Sequence, residues 1–124
     1  MSKIKLGQRP EFIERVVAFN MPDGSEGTII CRFRYRTRKE FGTFLKEMLV
    51  PPVGNTDDKT SIETAIALAV DQNAKYLNSI LVGWNLDEEL SVDTLTQFAD
   101  ELPAGARAVM DAYAGAISEG RLGN

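Results

Sequence analysis

Five cations fall within one short stretch, Arg32, Arg34, Arg36, Arg38 and Lys39, with Phe33 and Tyr35 between them. Arginines beside aromatics can grip a phosphate backbone and stack on bases. They can equally meet carboxylates on another protein. Along a strand, however, alternation separates the two sets. Ile29, Cys31, Phe33 and Tyr35 face one way, and Ile30, Arg32, Arg34 and Arg36 face the other. The aromatics are then core, and the arginines form a ridge whose charge discourages edge-to-edge pairing. A solvated ridge is the first reading, a protein-binding patch the second and a nucleic-acid site the third, because the rest of the chain is acidic and opposes phosphate.

The acidic side chains offer little apparatus for catalysis. Asp57-Asp58 and Asp87-Glu88-Glu89 could attract Ca²⁺ or Mg²⁺, but neither sits in the alternating loop of about 12 residues that such sites use. Glu63 with Asp71, and Asp111 with Glu119, share helix faces, yet nothing in the sequence raises either pKa for acid–base work. There is no histidine, and Cys31 is the only cysteine. This removes Ser–His and Cys–His nucleophile pairs, the commonest zinc ligands and any internal disulfide. Gly24 and Gly27 lack the spacing of a phosphate loop and belong to a turn. The chain therefore reads as a non-enzymatic protein with no metal and no cofactor. Trp84 is either a core anchor or a partly exposed hot spot of an interface, where Trp is enriched.

The elements that must position these residues fit one domain, residues 1–124, with 44% hydrophobic and 26% charged residues. No apolar run approaches the roughly 20 residues that span a bilayer. Met1 to Arg9 lack the core of a signal peptide, so the chain reads as cytoplasmic and without a membrane partner. Charge is polarised along the sequence. Residues 1–50 hold ten Lys/Arg against six Asp/Glu, a net +4, and residues 51–124 hold four against twelve, a net −8. Two faces of opposite sign suit head-to-tail association of copies or a charged partner, or they are an accident of a small surface.

Periodicity predicts an α+β fold, an N-terminal antiparallel β-hairpin packed on about four α-helices. Residues 1–10 read as an irregular arm. Phe12 to Asn20 and Thr28 to Arg36 are the strands, joined by the turn residues Met21-Pro22-Asp23-Gly24-Ser25. Thr37 and Glu40 have capping-box spacing and open a helix bearing Phe41, Phe44, Leu45, Met48 and Leu49, which Pro51-Pro52 stop. A polar loop follows from Val53 to Lys59. Thr60 and Glu63 repeat the capping box at the head of the longest helix, with Gly83 ending it and Trp84 at its exit. Its inward stripe is Ile62, Ala65, Ile66, Ala69, Val70, Leu77, Ile80 and Leu81. Asn73 sits at the edge of that stripe. Ser91 caps a third helix with Val92, Leu95, Phe98, Ala99 and Leu102 inward. Pro103 begins a fourth that Gly120 ends, and residues 121–124 form a flexible tail.

The C-terminal half is similar to small phage tail assembly chaperones of long-tailed, non-contractile phages and related prophages. Leu81-Val82-Gly83-Trp84 at the end of a long helix carries the resemblance, with the acidic segment Asn85 to Leu90 and the helix from Ser91. Ala112-Tyr113 and Gly120-Arg121-Leu122-Gly123-Asn124 extend it, and the Phe-rich hairpin with its Arg-rich strand is similar to the lead-in of such proteins. The resemblance implies a viral protein-binding role. Members hold the long tape-measure protein soluble, help recruit tail-tube protein, self-associate and are absent from the finished particle. On these residues the expected partner site is Arg32, Arg34, Arg36, Arg38 and Lys39 with Asp57 and Asp58 of the neighbouring loop. The acidic Asp87, Glu88 and Glu89 would meet another copy, and Trp84 is a further candidate partner-binding residue. A structural tail or head-completion protein and a small nucleic-acid-binding regulator remain the alternatives.

Overall fold

The computed structural model describes residues 5–48 and 61–119. The order is β1 (Ile13–Asn20), β2 (Glu26–Phe33), α1 (Arg38–Met48), α2 (Ile62–Ile80), β3 (Leu81–Trp84), α3 (Val92–Glu101) and α4 (Pro103–Glu119). The expected α+β architecture, a hairpin followed by four helices, is what the chain adopts.

Turn chemistry closes the hairpin. Gly24 takes φ +90°, a conformation that favours glycine. The Asp23 carboxylate accepts from the Ser25 amide at 2.9 Å and from its hydroxyl at 2.6 Å. The register sets Glu14 opposite Arg32, Val16 opposite Ile30 and Val17 opposite Ile29. Alternation then buries Val17, Ile29, Cys31 and Phe33 against the helices.

The long helix stops sooner than its apolar period predicts. Residues Leu81–Trp84 leave α2 as an extended strand that pairs antiparallel with β2, with Trp84 opposite Cys31 and Leu81 opposite Phe33. Gly83 is thus a strand residue and not a helix cap. The physical reason is the free edge of β2, whose N–H and C=O groups need partners. Ile80 and Asn85 extend the pairing. The Arg34 amide donates to the Ile80 carbonyl at 2.8 Å, and the Asn85 side chain accepts from the Ile30 amide at 2.8 Å. Among the described residues the sheet therefore has three strands, ordered β1-β2-β3.

Most helix starts follow the sequence. The Thr37 and Glu40 box forms, with the Glu40 carboxylate accepting from the Thr37 amide at 2.9 Å. Ser91 caps α3 in a box with Thr94, and Pro103 is the first residue of α4. At α2 the cap is Ser61, whose hydroxyl accepts from the Thr64 amide at 3.2 Å. Thr60 lies outside the described residues, as do Leu49, Pro51-Pro52, the Val53–Lys59 loop and the 121–124 tail. No helix among the described residues is long and apolar enough to cross a membrane.

The core lies at the C-terminal end of α2. Ala74, Leu77 and Ile80 are buried there with Phe33, Leu95, Val109 and Tyr113. The Tyr113 ring centroid is 5.2 Å from that of Phe33 and 5.5 Å from that of Phe41, and Tyr76 meets Phe44 edge-on at 4.9 Å. Helix α4 approaches β1 closely at Gly105, where a Cβ would sit 2.9 Å from the Phe19 ring and 3.0 Å from that of Phe98. The first half of α2 departs from expectation. Ile62 is 79% exposed and Ile66 58%, and Ala65 and Ala69 are exposed as well. Val92 on α3, also expected inward, is exposed. Periodicity marks the apolar face of a helix but does not say whether the rest of the chain reaches it.

Cys31 is fully buried, and burial pushes its thiol from 9.0 up to about 12. The unfolded chain loses this proton near pH 9 while the folded chain keeps it. The stabilisation is therefore complete below about pH 9 and is lost as pH rises toward about 12. Burial raises Tyr76 and Tyr113 in the same direction. In urea titrations from about pH 8 to about pH 11, the midpoint should fall for the natural chain and fall less steeply for Cys31→Ala. Equal slopes would place the ionisation elsewhere.

Candidate functional site

The cationic ridge is not continuous in space. Strand β2 ends at Phe33, so only Arg32 projects from its outward face. Arg32 sits opposite Glu14, with its Nε 3.5 Å from a carboxylate oxygen and its guanidinium 5.2 Å above the Phe12 ring. Arg34 is exposed beyond the strand, and its carbonyl accepts the Tyr113 hydroxyl at 3.0 Å. Arg36, expected on the solvated face, turns inward. Its Nη1 donates to the Tyr113 hydroxyl at 2.9 Å and to the Ser79 carbonyl at 3.1 Å, and its guanidinium lies 4.3 Å over Phe44. Once the strand has ended, alternation no longer decides direction, and a buried phenol beside a free carbonyl takes the nearest strong donor. Arg36 is a clasp between elements.

Arg38 and Lys39 are exposed in the first turn of α1. Next to them the Glu40 carboxylate is already engaged. The Thr37 amide and then Arg9, 2.6 Å away, hold its pKa below the ordinary value. Arg9 also lies 5.2 Å over the Tyr35 ring, so the arm crosses the start of α1. The cations left open are Arg34, Arg38 and Lys39.

Trp84 is half-buried. Its Nε1 donates to the Glu88 carbonyl at 2.8 Å, and its ring meets Phe98 edge-on at 5.8 Å. The Thr94 hydroxyl donates to the Glu89 carbonyl at 2.7 Å. These bonds pin the acidic loop by its backbone, while Asp87, Glu88 and Glu89 stay exposed. Trp84 thus serves as packing and as one wall of a 210 Å³ hollow shared with Leu86 and Leu102. Asp57 and Asp58 lie outside the described residues. Among the described residues no cluster of three or more His, Cys, Asp or Glu could hold a metal.

Two apolar surfaces join these residues that sequence reasoning missed. A groove of 620 Å³ runs between the first half of α2 and α3. One wall carries Glu63, Ile66, Ala67, Val70 and Asp71, an unbroken i, i+3, i+4, i+7, i+8 stripe. The other carries Asp93, Thr96, Gln97 and Asp100. The second surface is the outward face of the sheet, where Val16 and Ile30 lie opposite each other and Phe12 and Val82 are also exposed. Ile30 was visible on that face from alternation alone. The groove left no comparable signal, because a stripe covered by the chain and a stripe left open have the same spacing.

A family model described as phage tail assembly chaperone matches residues 1–124, the whole chain. No curated protein and no solved structure matches.

The arginines should separate by stability. Arg36→Ser breaks two hydrogen bonds from a charged donor and should cost about 2–3 kcal/mol in chemical denaturation. Arg34→Ser and Arg38→Ser should stay within about 0.5 kcal/mol of the natural chain. Equal small effects at all three would dissolve the clasp.

Proposed function

Since the chain belongs to the phage tail assembly chaperone family, we propose that it binds the tape-measure protein during tail assembly, keeps it soluble and helps recruit tail-tube protein. The role is non-enzymatic, is carried out in the cytoplasm of the bacterial host and ends before the mature virion forms. The observation that carries this reading is the amount of apolar surface left open on a well-packed fold. Ile62, Ile66 and Val92 on the helices, and Val16 and Val82 on the sheet, are each about half exposed or more. Surface of this kind is what a protein needs to shield a long helical partner until assembly.

The charged residues divide into two partner-facing groups. Arg34, Arg38 and Lys39 take acidic segments of a partner, and Trp84 with Asp87, Glu88 and Glu89 meets the cationic side of another copy in a head-to-tail oligomer. A nucleic-acid regulator is a poorer reading, because Arg32 is paired with Glu14 and Arg36 is spent on Tyr113. Co-expression with the neighbouring tape-measure gene should raise the soluble yield of the tape-measure protein and bring both proteins down together. Mass spectrometry of purified particles should find the chain missing. Failure to co-purify would defeat the chaperone reading, and a fixed copy number in the particle would favour a structural tail or head-completion protein.

A further inference from the structure

We propose that the groove between α2 and α3 seats an amphipathic helix whose apolar stripe is flanked by lysines or arginines. This rests on the tape-measure reading and adds which surface does the holding and what kind of segment it holds. The groove has the shape for a helix. From Glu63 to Asp71 the α2 wall runs about 12 Å at 1.5 Å per residue, enough for about two turns of a guest. Its floor is Ile66, Ala67 and Val70, so a guest presenting i, i+3, i+4 and i+7 apolar side chains meets a matching surface.

Charge decides the chemistry of the guest. Glu63 and Asp71 stand at the two ends of the α2 stripe, Asp93 and Asp100 at the two ends of the α3 stripe, and among the described residues no lysine or arginine lines the groove. Four carboxylates beside low-dielectric walls concentrate a negative field there. An acidic or uncharged guest gains nothing from that field, whereas a guest with cations at both flanks is oriented by it. The same charges argue against a second copy of this chain using this face. A two-fold contact is self-complementary in position, and here it would press carboxylates onto carboxylates. The sheet's outward face has no comparable preference, since Glu14 and Arg32 neutralise each other.

The test uses the full chain and two fluorescent synthetic helices of about 20 residues. One carries a Leu stripe flanked by lysines, and the other has every lysine replaced by glutamate. Anisotropy should show the lysine peptide bound at least about tenfold more tightly than the glutamate peptide, and more weakly as salt rises. Ile66→Glu, and Asp93→Lys with Asp100→Lys, should each weaken the lysine peptide about tenfold or more, while Thr43→Glu, at an exposed position on α1, leaves it unchanged. Ile66 is 58% exposed, so Ile66→Glu should melt with the natural chain. Equal binding of the two peptides, or binding indifferent to the groove substitutions, overturns the assignment. So does a natural chain that is dimeric in sedimentation and becomes monomeric in Ile66→Glu, which would mean a second copy covers the face. In parallel, tape-measure protein captured equally by the natural chain and both groove variants removes the groove but leaves the chaperone role. A natural chain that captures none removes the role itself, while the peptide result still decides the groove.

Discussion

A phenol buried among aromatic rings has to find hydrogen-bond partners, and in this protein much of the chain's course follows from how Tyr113 finds them. The residue is fully buried, and its hydroxyl donates to the Arg34 carbonyl and accepts from Arg36. Leaving such a group unpaired would cost about 1–3 kcal/mol. Satisfying it fixes Arg34 and Arg36, the first and third residues after β2, so the strand cannot run on to Arg36. With the chain turned inward there, Arg36 also reaches the Ser79 carbonyl near the end of α2 and the Phe44 ring on α1. One junction thereby ties four elements together. It also brings the Arg34 amide to the Ile80 carbonyl, where the third strand starts. No buried side-chain polar atom among the described residues is left without a partner.

Concentrating the core around that junction has a consequence at the far end of α2. The residues that pack most tightly, Leu77 and Ile80, belong to its last turns, next to the sheet and α4. About three turns earlier, at Ile66, little among the described residues is left to pack against except α3, whose ten residues present Leu95, Phe98 and Ala99 to the core and Asp93, Thr96, Gln97 and Asp100 to the groove. A helix wall that is polar on one side of a gap and apolar on the other does not close. The open stripe is therefore a result of where the core sits and is not a defect of the helix, which keeps a satisfied cap at Ser61.

What could be read from sequence was local. The hairpin rests on alternation and on Asp23-Gly24, and the helix starts rest on Thr37, Ser91 and Pro103. Each is a contact between residues a few positions apart, so spacing reveals it. The third strand could not be read this way, because Leu81-Val82-Gly83-Trp84 is a short apolar run that continues the helical period. Only the free edge of β2, about 50 residues away in sequence, makes it a strand. Arg36 escaped for the same reason. Its partners Ser79 and Tyr113 are set by tertiary structure, and the alternation that assigned it to solvent applies only while the strand lasts. The candidate site was legible in its charges and not in its geometry. Arg34, Arg38 and Lys39 remain exposed as read, but the groove is a property of two helices meeting.

The formal charge of −4 understates what a partner meets. The positive half of the sequence spends much of its charge internally, with Arg9 on Glu40, Arg32 on Glu14 and Arg36 within the clasp. The negative half does the opposite, and sets carboxylates at the ends of an apolar floor. At about 0.1 M salt, charges are screened over roughly 10 Å, close to the length of the groove itself. A guest lying in it therefore responds chiefly to Glu63, Asp71, Asp93 and Asp100, which line it. Selection by charge is then local to the groove.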